Sequence, residues 1–156
     1  MLEAILLAGT LVAAAGPELG QKMSSLALRV DGFPDARGKA TLRIYDSVRS
    51  METDPARFEW KTDVVDGVAT FVAEGLPQGR WAVMVFHDRN TNGKVDHGWN
   101  RFPTESIGYS NGFEPSFRAG MPSYHKVAIR VDASTDSLRL TVRPIDLSSF
   151  LGRRSK

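Results

Sequence analysis

Short stretches in which apolar and polar side chains alternate recur along this chain, and they constrain its fold more than any other feature. A period of two places successive side chains on opposite faces of an extended strand, so that one face is buried and the other is wet. Six or seven such strands, separated by turn residues and with almost no helix, predict one all-β domain, an antiparallel β-sandwich over residues 25–144. The alternating stretches are Leu26–Val30, Lys39–Tyr45, Lys61–Val65, Val68–Ala73, Arg80–Phe86, Tyr124–Val131 and Leu138–Val142.

Two local patterns are more specific than alternation. Asp66-Gly67 predicts a hairpin between the third and fourth stretches, because the primed turn of a two-residue hairpin needs positive φ at both central positions. Arg80–Phe86 is apolar on both faces, which predicts a central strand between packed layers. Residues 54–58 are interpreted as a single helical turn within a crossing loop, with Asp54 as its cap.

Composition excludes several classes of function. The chain has 156 residues, enough for one domain with a proper core. Its formal net charge is +2, with acidic and basic residues interleaved, and no basic stripe of the kind that binds nucleic acid is present. The sequence contains no cysteine, which excludes disulfides, thiol chemistry and cysteine metal sites.

The first residues predict export. Ala4–Ala15 is apolar, ends in three alanines that suit a signal peptidase, and is shorter than the roughly 20 residues of a membrane span. Residues 1–15 are therefore interpreted as a signal peptide and residues 16–24 as a linker. A periplasmic or secreted protein without a stable transmembrane span is expected. Residues 145–156 form a basic tail that we expect to be frayed.

A polar loop follows the central strand and has the pattern of a calcium-binding loop. Oxygen-bearing side chains alternate, Gly93 permits a sharp turn, and a second carboxylate follows, as in D-x-N-x-N-G-x-x-D. Trp99 stands where the twelfth-position glutamate of such loops is usual, so a weak site is expected. The same residues also form turns without any metal, and that alternative stays open. The candidate ligands are Asp88, Asn90, Asn92, the carbonyl of Lys94, Asp96 and, closing the shell, Glu105.

The stretch from Asp88 to Met121 shows no alternation, yet it is rich in aromatic residues. A loop of that length in a compact domain usually has a function. Its aromatic side chains, Phe117 among them, either stack on a sugar or a peptide or form a satellite core that shapes the loop. We expect Trp99 and Tyr109 to stay partly exposed. The candidates for a binding surface are His87, Trp99, Tyr109, Ser110 and Asn111.

The residues around the central strand resemble two known groups of domains. Gly75-Leu76-Pro77-Gln78-Gly79-Arg80-Trp81-Ala82-Val83 is similar to the G-L-P-x-G-x-[YW]-x-V corner of transthyretin-like and carboxypeptidase regulatory-like sandwich domains. The strand pattern itself favours a prealbumin-like or immunoglobulin-like Greek key. From about Leu26 to Val142 the chain also resembles a bacterial family of exported domains of unknown function, numbered 2141, which has no established activity. The matching positions are His87, Asp88, Asn90, Asn92, Gly93, Asp96, Pro103, Glu105, Gly108, Ser110 and Asn111.

Three functional hypotheses follow, and none names a reaction. The first is an exported, non-catalytic module whose calcium-pinned loop presents a surface to a polysaccharide or protein of the cell envelope. The second is a metal-assisted or histidine-based hydrolase of an envelope polymer, which requires His87 in an open cleft within hydrogen-bond reach of Glu105 or Ser110. The third is a structural accessory domain, which an exposed sheet edge at Leu138–Val142 would favour.

Overall fold

The structure is a computed structural model that describes residues 20, 22–53, 55–116, 118–135 and 137–145. The predicted signal peptide, most of the linker, Asp54, Phe117 and the tail after Ile145 lie outside the described residues. In the described part of the chain, no helix has both the length and the apolar character needed to cross a membrane.

The described strands form two facing sheets, which confirms the predicted all-β sandwich. β1 (Met23–Asp31) is the central strand of the smaller sheet, between β4 (Val68–Pro77) and β8 (Ser137–Thr141). In the larger sheet, β5 pairs through one edge with β2 and through the other with both β6 and β7. The strands of this sheet are β2 (Lys39–Tyr45), β3 (Phe58–Thr62), β5 (Gly79–Asp88), β6 (Ile107–Tyr109) and β7 (Ala128–Val131).

One strand pair departs from the predicted antiparallel arrangement. β8 pairs with β1 in parallel, in a register that runs from Ala27 opposite Ser137 to Asp31 opposite Thr141. The chain leaves β7 in the larger sheet and enters β8 in the smaller one, so these two strands do not fold back on each other as a hairpin. Alternation reports which face of a strand is buried, not the direction of its neighbour, and therefore could not predict this pairing.

The main core fills the space between the two sheets. Strands β1 and β2 each contribute three almost completely buried side chains, and β5 contributes its inward-facing valines. Burial of such side chains contributes about 1.5–3 kcal/mol each relative to exposure. The central members of this core are Leu26, Leu28, Val30, Ala40, Leu42, Ile44, Val83 and Val85.

The larger sheet is also covered on its outer face, as predicted for a strand that is apolar on both sides. Ala82, Met84 and Phe86 of β5 point outward and are buried. They pack against residues of α1 (Val48–Thr53), of α2 (Tyr124–Val127) and of the long segment between β5 and β7. The stretch after Asp88 is therefore a third layer of the domain, and it is not a structureless loop.

The Asp66-Gly67 turn is confirmed, but the hairpin around it is not. Both residues have positive φ, 51° and 74°, and Val65 and Val68 exchange two backbone hydrogen bonds of 2.8 and 3.0 Å. The flanking strands then separate, because β3 pairs with β2 and β4 pairs with β1. The turn thus carries the chain from one sheet to the other.

Two short helices lie where other structure was predicted. α1 precedes the predicted turn at residues 54–58, and β3 begins at Phe58 instead. Ser47 caps α1, since its Oγ accepts a hydrogen bond from the N–H of Ser50 at 3.2 Å. α2 occupies the first half of the predicted strand at Tyr124–Val131. Helices this short show no apolar periodicity that a sequence pattern can reveal.

The turn between β1 and β2 is fitted closely against the end of β5. Gly38 has φ of +70°, and a Cβ on it would lie 2.0 Å from the carbonyl oxygen of Asp88. His87 donates a hydrogen bond from Nε2 to the carbonyl of Arg37 at 2.7 Å, and the Arg89 guanidinium pairs with the Asp35 carboxylate. This turn therefore fixes the point at which the polar loop leaves the sheet.

Gly38→Ala is expected to destabilise the domain more than Gly75→Ala. Both glycines have φ of +70°, so each substitution carries the left-handed cost of about 1–2 kcal/mol. Only Gly38 also faces immovable backbone, whereas nothing lies within 4 Å of a Cβ on Gly75. Urea unfolding of both variants measures the difference, and equal midpoints would contradict the close fit.

Candidate functional site

The polar loop begins at a buried carboxylate that organises the backbone around it. Asp88 is the last residue of β5 and only 1% exposed. One carboxylate oxygen accepts the N–H of Asn92 at 3.0 Å, and the other accepts the N–H of Gly93 at 2.8 Å. Gly93 has φ of +74°, which lets the chain turn back over the carboxylate. Asp88 thereby determines the curvature of the loop.

The side chains of Asn90, Asn92 and Asp96 are joined by hydrogen bonds, although both asparagines are exposed. The amide oxygen of Asn90 accepts the N–H of Asn92 at 3.1 Å, and that of Asn92 accepts the N–H of Lys94 at 2.8 Å. Both amide groups also donate to the Asp96 carboxylate, at 2.6 and 2.9 Å. The structure therefore brings Asp88, Asn90, Asn92 and Asp96 together, as the sequence pattern predicts.

Glu105 closes this loop from the far side. Its two carboxylate oxygens accept the N–H of Arg89 at 3.1 Å and the N–H of Asp96 at 3.2 Å, so it binds both ends of the loop. The side chain is 5% exposed. Burial raises the pKa of Glu105, the hydrogen bond from Asp96 opposes this, and the charges of Asp96 and Asp88 raise the pKa further.

The candidate metal ligands of the loop are all oxygen atoms, as a hard cation requires, but few of them belong to carboxylates. Every candidate atom is oxygen, from carboxylates, amides and the Lys94 carbonyl, as calcium prefers. Among the described residues, however, no three acidic or histidine side chains are grouped to hold a metal. Asp88 and Glu105 already accept backbone N–H groups. A cation here would depend on amide and carbonyl oxygens around Asp88 and Asp96.

Arg43, which the sequence pattern did not single out, supports the loop from the sheet. It is 7% exposed, lies on the outer face of β2, and stacks over Phe86 with its guanidinium carbon 5.1 Å from the ring centre. Its Nη2 donates to the carbonyl of Gly93 at 2.7 Å, and its Nε donates to Glu59 at 2.8 Å. The sequence signal that could have identified Arg43 was its position in the middle of β2, between the buried residues Leu42 and Ile44.

Trp99 lies at the tip of a small rigid turn and is 96% exposed. His97 and Pro103 form a β-bridge at the base of this turn. Gly98 donates from its N–H to the carbonyl of Phe102 at 2.9 Å, and Arg101 donates to the carbonyl of Gly98 at 2.9 Å. The turn is tied to the polar loop because the Thr104 N–H binds the carbonyl of Asp96 at 2.9 Å. Tryptophan is enriched at interfaces, so an indole this exposed on a hydrogen-bonded turn is a candidate for contact with a partner.

Three of the predicted surface residues, His87, Ser110 and Tyr109, are buried, so the expectation that Tyr109 stays partly exposed is wrong. His87 is completely buried on the inner side of β5, where Phe33 packs edge-on against it, and its Nδ1 has no hydrogen-bond partner among the described residues. Ser110 is also buried, accepts the N–H of Val83 at 2.9 Å and donates to the carbonyl of Val127. Tyr109 is 7% exposed, and burial raises its pKa to about 12. The amide of Asn111, although exposed, donates to the carbonyl of Lys126 at 3.0 Å.

The geometry required for a hydrolase is absent from these residues. His87 does not line an open cleft, and its Nε2 already binds the Arg37 carbonyl. The Ser110 hydroxyl is engaged with the backbone of β5 and α2. Glu105 uses both oxygens on backbone N–H groups. The hydrolase hypothesis is therefore wrong for the residues on which it was based.

One family model matches this chain. It is described as "Uncharacterized protein conserved in bacteria (DUF2141)" and matches residues 28–139, from within β1 to within β8. The match includes the whole polar loop and the turn that carries Trp99. No curated protein and no solved structure matches the chain.

Glu105→Gln is expected to destabilise the folded domain by about 1–3 kcal/mol at neutral pH. The amide nitrogen of glutamine cannot accept the N–H group that the second carboxyl oxygen accepts, whether that carboxyl group is ionised or protonated. Since the folded pKa lies above the ordinary value of 4.5, the folded protein retains a proton that the unfolded chain releases. The stability of the unmodified protein relative to the variant should therefore be highest below pH 4.5 and decline as the pH rises through the folded pKa.

Denaturant unfolding between pH 4 and pH 7 measures this dependence. Glu74→Gln is a matched control, since Glu74 is exposed on β4. A stability difference for Glu105→Gln that does not change with pH would contradict the raised pKa.

Proposed function

This chain belongs to the bacterial family described as "Uncharacterized protein conserved in bacteria (DUF2141)", and on that premise we propose that it is an exported, non-catalytic binding module of the cell envelope. The polar loop Asp88–Asp96 holds a surface that is centred on Trp99. The ligand that fits this surface best is a polysaccharide. Export to the periplasm or the exterior is supported by the apolar stretch Ala4–Ala15.

The exposure of Trp99 on a rigid turn is the observation that carries the proposal. An indole that is 96% exposed gains nothing from the core, and the bonds around Gly98 and Asp96 hold it in place before any ligand arrives. A preorganised aromatic side chain loses little conformational entropy on binding. It can therefore contribute most of its apolar surface to a partner.

We favour a polysaccharide over a protein because the residues on either side of Trp99 in the chain are small or polar. Its neighbours in the chain are Gly98 and Asn100, and the Asn100 side chain accepts the N–H of Phe102 at 3.2 Å. The C–H face of a sugar ring stacks on an indole, while its hydroxyl groups bind polar groups nearby. A protein interface would require a broader apolar core around the tryptophan.

Calcium is the cofactor that we propose for the polar loop, in a structural role. The oxygen-bearing side chains of Asp88, Asn90, Asn92 and Asp96 lie within one hydrogen-bonded group, and small rotations of the two amides would turn their oxygens toward an ion; this grouping supports the assignment. Because Asp96 is linked to the turn of Trp99 through Thr104, an ion in the loop would stiffen the binding surface. The small number of carboxylates implies weak affinity, in the range of about 0.1–1 mM that extracellular modules show.

The accessory-domain alternative receives less support. The segment after β8 is tied to the larger sheet, because Ile107 and Arg143 exchange backbone hydrogen bonds of 2.9 and 3.0 Å. The bond of 2.9 Å from the Val142 N–H to the carbonyl of Asp31 continues the pairing with β1. Among the described strands the other edge of β8 has no partner over Ser137–Thr141, so a docking edge is limited to that short stretch.

Calcium is expected to stabilise the protein and Asp96→Asn to abolish that effect. At about 1 mM free calcium and a dissociation constant of about 0.1 mM, binding adds roughly 1.4 kcal/mol to the free energy of unfolding. Asp96 is the better position for the test, since its carboxylate binds only side-chain amides in the structure and not backbone N–H groups.

Thermal unfolding with calcium, with magnesium and with a chelator measures this stabilisation. Asp63→Asn is the matched control, because Asp63 is an exposed aspartate whose carboxylate pairs with Lys39 and not with a residue of the loop. If calcium stabilises Asp96→Asn as much as the unmodified protein, the loop is not the calcium site.

Trp99→Ala is expected to weaken polysaccharide binding at least about tenfold, as removal of a central aromatic anchor does. The free energy of unfolding should change by no more than about 0.5 kcal/mol, because the side chain is exposed. Pull-down on purified peptidoglycan and titration with soluble laminarin measure binding. Val72→Ala, on the outer face of β4, removes another exposed apolar side chain as a control. Equal binding by Trp99→Ala and the unmodified protein would contradict the proposed surface.

A further inference from the structure

A separate cleft of about 310 Å³ lies on the outer side of the larger sheet. Its base is formed by β2, β5 and β6, and its walls are formed by α1, by α2 and by the segment between β5 and α2. The volume is at the small end of the range of roughly 300–1,000 Å³ for ligand sites, so it suits one small molecule.

The inner surface of the cleft is apolar and adaptable. Met51, Met84 and Met121 contribute side chains from α1, β5 and the long segment. Ile107 and Val95 add branched apolar surface between them. Methionine side chains are flexible and polarisable, and they accommodate apolar ligands of varied shape.

The Tyr109 hydroxyl is open to the cleft and has no hydrogen-bond partner among the described residues. The side chain lines the cleft and is 7% exposed, and no described residue forms a hydrogen bond with its hydroxyl. Tyr124 in the same cleft differs, because its hydroxyl donates to the carbonyl of Arg80 at 2.7 Å. A tyrosine hydroxyl keeps its proton at neutral pH, so the Tyr109 hydroxyl can donate a hydrogen bond to a ligand in the cleft.

Arg101 places a positive charge at the rim of the cleft. Within the described part of the chain its guanidinium has no ion-pair or hydrogen-bond partner. Its φ of +65° lies in a region where glycine and asparagine are usual, so the turn holds an arginine at a position that is costly for it. The other titratable side chains of the rim are His97 and Glu52.

We infer that this cleft binds a small monocarboxylate with an apolar body, such as a medium-chain acyl acid. The carboxylate pairs with the Arg101 guanidinium and accepts the hydrogen bond of the Tyr109 hydroxyl, and the apolar body packs among Met51, Met84 and Met121. The Arg101 guanidinium and the Tyr109 hydroxyl, which both favour an anion, then each have a partner. The inference does not depend on Trp99 or on calcium.

Glu52 defines the competing possibility, a ligand with a positive charge. It is an exposed carboxylate on α1 at the opposite wall, and the structure records no ion pair between it and Arg101. Two features favour the anion: a protonated amine cannot accept the Tyr109 hydrogen bond, and Arg101 would repel it. The charge of the ligand is therefore the property to test.

Calorimetric titration with octanoate, 1-octanol and octylamine tests the inference on the full chain. Octanoate should bind at least about tenfold more tightly than 1-octanol, because a charge-assisted contact typically adds that much. Octylamine should bind no better than 1-octanol. Stronger binding of octylamine than of octanoate, or no binding of octanoate at millimolar concentration, would overturn the inference.

Two variants separate binding from folding. Arg101→Asn removes the charge while retaining a residue that tolerates positive φ, and it should weaken octanoate binding about 10- to 100-fold without lowering the melting temperature. Tyr109→Phe keeps the ring and should weaken binding about 3- to 10-fold, again without loss of stability, because the hydroxyl has no partner to lose. Arg118→Asn, an exposed arginine of the same long segment, is the control and should bind normally.

Unchanged octanoate affinity in both Arg101→Asn and Tyr109→Phe would show that the acid binds elsewhere and would contradict the inference. Trp99→Ala should retain octanoate binding even if polysaccharide binding is lost. The inference about the cleft and the proposal about the Trp99 surface are therefore tested independently.

Discussion

Strand β5 carries apolar side chains on both faces, and this requires a cover on both sides of the larger sheet. The smaller sheet covers the inner face through the core around Val83 and Val85. A two-sheet sandwich has no third sheet to cover Met84 and Phe86, so the helices and the long segment after Asp88 provide that layer. The segment could pack there only if its own backbone polar groups found partners.

The oxygen-rich composition of the polar loop supplies those partners. The carboxylates of Asp88 and Glu105 accept two backbone N–H groups each, and the amides of Asn90 and Asn92 accept one each. The same oxygens are the chemistry that a hard cation prefers. Hydrogen bonding and cation binding therefore favour the same loop shape. For this reason the residues alone are compatible both with a calcium-binding loop and with a hydrogen-bonded turn that binds no metal.

The distribution of buried and exposed polar residues separates structural roles from binding roles. His87 and Ser110, which have chemically versatile side chains, lie inside the domain and bind backbone groups of neighbouring elements. Trp99, an apolar residue, lies outside on a rigid turn. Candidate residues chosen by chemical type alone thus included both buried and exposed residues, because the packing of the layers decides burial and the chemical type of a side chain does not.

Alternation and turn chemistry in the sequence determined the sandwich, the bounds of β2, the primed turn at Asp66-Gly67 and the double burial of β5, because these depend on contacts between near neighbours and on which face of a strand is apolar. The convergence of Asp88 with Asp96 was also local and could be predicted. Only the tertiary structure decided the parallel pairing of β8, the support that Arg43 gives to Gly93 and the cleft that joins Met51 of α1 to Arg101. Those features join residues far apart in the chain, and pairing between distant strands follows from how the layers pack, which no local pattern encodes.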